Sequence, residues 1–153
     1  LNSLRKLSLY FSKCMLTNEG LHLLYQAIRS LTTLDSLVLR IVGCKMDPKN
    51  FITVKKLLNE MQGLQELEIS LGLSLSEKES ESFSDGLCRM KSLRILKLKF
   101  LSCVSEKIIN GIKRLPRIKE LYWDLGAQIG KKYEHELYYS CKTLEYISWE
   151  ETC

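Results

Sequence analysis

The chain has 153 residues, 45 % of them hydrophobic, and carries 23 Lys and Arg against 18 Asp and Glu, a formal net charge of +5. That is enough chain for a real core and too apolar for a disordered segment. No apolar run approaches the roughly 20 residues a membrane-spanning helix needs, so no membrane partner is expected.

In chain order, the first unit reads Leu4-x-x-Leu7-x-Leu9-x-Phe11-x-x-Cys14. Its alternating apolar residues predict a strand with one buried face. Thr17-Asn18-Glu19-Gly20 offers helix caps, and Leu21, Leu24 and Ile28 then recur at helical spacing. The second unit is Leu34-x-x-Leu37-x-Leu39-x-Ile41-x-x-Cys44. Asp47-Pro48 suits an N-cap and first turn before Val54, Leu57, Leu58 and Met61. The third has Leu64, Leu67, Ile69 and Leu71, with Ser74 where Cys stood, then Phe83, Leu87 and Met90 as a helix face. The fourth, Leu93-x-x-Leu96-x-Leu98-x-Phe100-x-x-Cys103, is followed by Ile108, Ile112 and Leu115. The fifth has Ile118, Leu121, Trp123 and Leu125, with Gln128 in place of Cys. Its helix, over 131–140, is the least regular, with Glu134, Leu137 and Tyr138 suiting one. The sixth has Leu144, Ile147 and Trp149.

The units start near Leu1, Leu31, Met61, Met90, Leu115 and Cys141, at intervals of 30, 30, 29, 25 and 26 residues. A strand, a turn and a helix at this period resemble the leucine-rich repeat. The full helices, and the run Cys14-Met-Leu16-Thr-Asn-Glu-Gly20-Leu, resemble its ribonuclease-inhibitor-like class. Ser74 and Gln128 depart from the usual Cys or Asn, and the strands run two residues longer than the minimal pattern. The resemblance covers essentially the whole chain. It implies an α/β leucine-rich repeat solenoid of about six repeats, a curved right-handed β/α horseshoe with a parallel sheet on the concave side and helices on the convex side. Residues 1–153 are expected to form one such domain. Leu1 opens the first unit bare and Cys153 closes just after a strand, so a piece of a longer array, or a chain capped by another subunit, is expected. Alone, it should self-associate.

The family's partner surface is the strand face turned away from the helices. Counting from each unit start, positions +7 and +9 should face solvent there. They include Tyr10, Arg40, Lys97, Lys99, Tyr122 and Asp124, with Tyr and Arg the types that most often anchor interfaces. The row is mixed in charge and modest in aromatics, so it is either a specific partner site or an ordinary solvated sheet face. From Lys91 to Lys119, nine basic residues face only Glu106. Arg94 and Lys119 share position +4 of neighbouring units and should lie side by side. Stacked like charges repel unless an acid is near. The region is therefore either a docking patch for an acidic partner or phosphate backbone, or a solvated rim paired with Glu120 and Glu145.

Catalytic signals are sparse. His22 and His135 lack a Cys, Ser or Asp at diagnostic spacing. Ser82-x-Ser84-Asp85-Gly86 lies in a helical connection and is no nucleophile elbow. Gly126 and Gly130 read as turn glycines, and Trp123 and Trp149 as core. Cys14, Cys44 and Cys103 share one position and read as stacked core residues in a reducing, intracellular (cytoplasmic) setting. No enzyme, cofactor or metal is expected. The resemblance implies a protein–protein interaction module or scaffold, acting through the strand face and the basic patch. Nucleic-acid or other polyanion binding through 91–119 is the alternative. It is disfavoured by the low net charge and the lack of aromatics among the basic residues.

Overall fold

A computed structural model describes residues 3–44, 51–72, 74–100, 105–124 and 127–149, with backbone alone for 127–131 and 149. Six strands form one parallel sheet in sequence order: β1 (Lys6–Ser12), β2 (Ser36–Val42), β3 (Glu66–Leu71), β4 (Ile95–Phe100), β5 (Glu120–Asp124) and β6 (Tyr146–Trp149). Five helices alternate with them: α1 (Asn18–Arg29), α2 (Phe51–Glu60), α3 (Glu77–Leu87), α4 (Glu106–Lys113) and α5 (Ala127–Ser140). Each helix packs against the next, as each strand does, so the fold is a row of strands beside a row of helices.

Register follows the unit count without a slip. Leu7, Leu37, Leu67, Leu96, Leu121 and Ile147 pair successively, as do Leu9, Leu39, Ile69, Leu98, Trp123 and Trp149. In-register pairing sends the +6 and +8 side chains of β1 to β5, and the +10 side chains of β1 to β4, to one face, where they meet the helices' apolar stripes. Leu67, Leu96, Phe83, Ile112, Ile118 and Leu137 are all sealed from solvent. Burying one such Leu or Phe is worth about 1.5–3 kcal/mol. In β1 the equivalent Leu7, Leu9 and Phe11 stay partly exposed, because strand β1 has a neighbour on one side only.

The ladder begins one residue before each strand. The Arg5 carbonyl accepts from both Asp35 and Ser36 N–H groups, at 2.8 and 3.0 Å. Asp35, Gln65, Arg94 and Lys119 carbonyls do the same for the next unit along. This fixes the +4 row as tightly as the strands.

Local chemistry sets the helix ends. Thr17 caps α1 by accepting the Gly20 N–H, and Ser76 and Glu79 form a reciprocal capping box at α3. The Asp47-Pro48 start, Leu125, Gly126 and Cys103 lie outside the described residues. One expectation needs correction. Gly130 is not in a turn but inside α5. The buried face of α5 is Tyr133 and Leu137, leading to Cys141, while Tyr138 is exposed. Tyr133 can take an inward position because its hydroxyl donates to Glu106 at 3.0 Å.

Candidate functional site

The sheet face away from the helices carries three side-chain rows. Position +5 gives Lys6, Ser36, Glu66, Ile95, Glu120 and Tyr146; position +7 gives Ser8, Val38, Glu68, Lys97, Tyr122 and Ser148; position +9 gives Tyr10, Arg40, Ser70, Lys99 and Asp124. The Arg40 guanidinium lies 5.2 Å from the Tyr10 ring centroid and pairs with Glu68. The Lys97 ammonium lies 5.1 Å from the Tyr122 ring and 3.4 Å from Glu66. Tyr122 donates its hydroxyl to Glu120 at 2.8 Å, and that bond pushes the phenol above its ordinary pKa. Its ring packs 5.4 Å from that of Tyr146. Lys99 pairs with Asp124. Between these side chains lies a hollow of about 590 Å³, lined by Arg40, Glu68, Lys97, Lys99, Tyr122 and Asp124 among others.

Six of the eight sequence-designated residues therefore meet on one face: Tyr10, Arg40, Lys97, Lys99, Tyr122 and Asp124. Three of them behave differently from expectation. Asp124 is not solvent-facing; it is 4 % exposed beneath the Lys99 ammonium. Lys97 and Lys99 are not free cations, since Glu66 and Asp124 answer them. Ser70, also at +9, is buried between the longer Arg40 and Lys99 on either side. Counting the face from +7 leaves out Glu66 and Tyr146, and leaves Glu120 as a rim residue only. The signal was present, because a two-residue period puts +5 on the same face.

Arg94 and Lys119 occupy a different surface, the +4 row at the start of the strands. They are adjacent: the Lys119 N–H donates to the Arg94 carbonyl at 2.8 Å. With Gln65, Ser92, Arg117 and Thr143 they line a second hollow of about 360 Å³. Lys119 pairs with the exposed Glu145, as the plainer reading of the basic region anticipated. Arg94 and Arg117 have no ion-pair partner among the described residues.

The remaining candidates fall out as follows. His22 and His135 are exposed on α1 and α5, and a His22 ring nitrogen lies 2.9 Å from the Gln26 amide. Cys14 and Cys44 do stack, with sulfurs 2.9 Å apart, but both are half-exposed rather than core. Their mutual hydrogen bond raises the Cys14 thiol above its ordinary pKa. Cys141 is the cysteine that packs inside; burial pushes its thiol up to about 11. Among the described residues no three His, Cys, Asp or Glu side chains gather as a metal site, and no helix is long and apolar enough to cross a membrane. Comparison of the chain with family models, with curated proteins and with solved structures finds no match.

Proposed function

We propose that the chain is a leucine-rich repeat solenoid that works as a protein-interaction module, binding its partner on the open face of the sheet. The sheet would be the concave side and the helices the convex side, as the unbroken order β1 to β6 and the in-register units suggest. In this reading the chain is a binder and not an enzyme, and its free thiols suit a reducing compartment.

The observation that carries the reading is the internal neutrality of that face. Arg40, Lys97 and Lys99 each have a carboxylate within ion-pair distance. A surface so compensated has little long-range pull on a polyanion. Tyr122 lines the hollow; Tyr10, 63 % exposed, lies beside its Arg40, and Tyr146, 48 % exposed, lies beside its Tyr122. Such rigid aromatic side chains anchor protein interfaces at small entropic cost.

The test is affinity capture from the source cell with the tagged chain, beside the Tyr10→Ala/Tyr122→Ala variant, at low and high salt. A stoichiometric protein partner that persists at high salt and is lost by the variant is the expected result. A partner held equally by the variant would sink the reading, as would nucleic acid recovered only at low salt.

A further inference from the structure

The +4 row shows where positive charge is left over once the sheet face is neutralised. In order along the sheet it reads Arg5, Asp35, Gln65, Arg94, Lys119 and Glu145. Arg5 is cancelled by Asp35 at one side, and Glu145 closes the other. Between them Arg94, Arg117 and Lys119 share one hollow with Gln65, Ser92 and Thr143, and none of the residues lining it carries a carboxylate. Two guanidiniums there lack an ion-pair partner among the described residues. The third cation, Lys119, pairs among the described residues with the exposed Glu145 alone, a pairing worth at most about 1 kcal/mol.

We propose that this hollow binds a phosphate monoester. Three features select that chemistry. Guanidinium groups match phosphate oxygens two at a time, which surface lysines do not. A monoester carries a charge of roughly −1.5 to −2 at neutral pH, enough to engage both arginines and draw Lys119 from Glu145. The positive stretch is also short. From Gln65 to Lys119 is two strand spacings, about 10 Å, and the row then turns acidic. That width takes one phosphate group. A nucleic-acid backbone would need cations continuing along the row, and it would meet Asp35 and Glu145 instead. Backbone hydrogen bonds hold the Gln65, Arg94 and Lys119 main chains side by side, so their side chains start from adjacent fixed points. The site lies off the sheet face and goes beyond the reading given above; Tyr10 and Tyr122 play no part in it.

The test is a titration of the isotope-labelled full chain, followed by amide chemical shifts. O-phosphoserine, inorganic phosphate, aspartate and a short single-stranded DNA are the probes. O-phosphoserine is expected to shift the amides of Gln65, Arg94, Lys119 and Glu145 saturably, and aspartate to bind at least about tenfold more weakly. Binding should weaken as pH falls through about 6, where the monoester regains its proton. Arg94→Gln/Arg117→Gln, exposed positions whose loss leaves the core intact, should reduce affinity at least about tenfold, and Tyr10→Ala/Tyr122→Ala should not change it. A degenerate phosphoserine peptide tighter than inorganic phosphate places the phosphate on a partner protein; equal affinity places it on a small solute. Either supports the site. Affinity unchanged in the double arginine variant, or aspartate equal to phosphoserine, overturns it. So does DNA binding the same amides more tightly, with a steep salt dependence.

Discussion

Asp124 is enclosed, and its carboxylate is answered by one ammonium, that of Lys99. Removing the cation leaves a charge in low dielectric, which costs far more than the pair itself contributes. Lys99 is half-exposed, so water returns part of the loss. Lys99→Met is expected to lower stability by about 1–3 kcal/mol. Lys97→Met, whose partner Glu66 is wetter, should cost no more than about 1 kcal/mol. Adding Asp124→Asn to Lys99→Met should recover much of the loss. Urea unfolding of the three variants decides this; equal losses for Lys97→Met and Lys99→Met would show that Asp124 is not held by Lys99. The contrast was not readable from the sequence. Periodicity assigns Asp124 to a face, but its depth depends on a neighbour 25 positions earlier through the β4–β5 register, Lys99↔Asp124.

Repeating elements must also fit side by side, and glycine sets the fit between α2 and α3 and between α3 and α4. A Cβ on Gly111 would stand 2.6 Å from the Ser84 hydroxyl and 2.9 Å from its Cα, and one on Gly86 would stand 3.0 Å from Leu58 Cβ. Gly111→Ala must push the helices apart or force Ser84 aside, at about 1–3 kcal/mol. Gly63→Ala, with open space around it, is the control and should change little. Thermal melts of the two variants would show it; equal melting temperatures would mean that the helices do not approach closely there. The strands were legible because Leu-x-x-Leu-x-Leu carries both period and register in one motif. Helices α1 to α4 were legible for a related reason, their apolar residues leading directly into the next unit. Helix α5 was harder. Its buried face uses a tyrosine, Tyr133, made tolerable inside by Glu106 of another helix. The +5 position was not counted as part of the sheet face, so the pairing of Lys97 with Glu66 was not foreseen. The +4 neighbours Arg94 and Lys119 were placed correctly, because that inference needed only the unit length.

For the whole molecule, burial is uneven along the row of strands. Leu96 and Leu67 are fully enclosed by neighbours on both sides, while Leu7 and Leu9 are not. Leu96→Ala should therefore cost about 2–5 kcal/mol and Leu7→Ala clearly less. Native-state hydrogen exchange should protect β3 and β4 most and β1 least, and uniform protection would contradict this.

That gradient sets an order of loss. Each unit leans mainly on its neighbours, so mild denaturant should release β1 and α1 while the middle strands hold. Tyr10 would leave with them, and Arg40 would lose the ring it lies over. Arg94, Arg117 and Lys119 sit on later units and would stay assembled. The molecule would then pass through a half-open form that has lost one end of its sheet face and kept its cationic hollow. Two ligands titrated across a urea series would report that form as two midpoints in place of one.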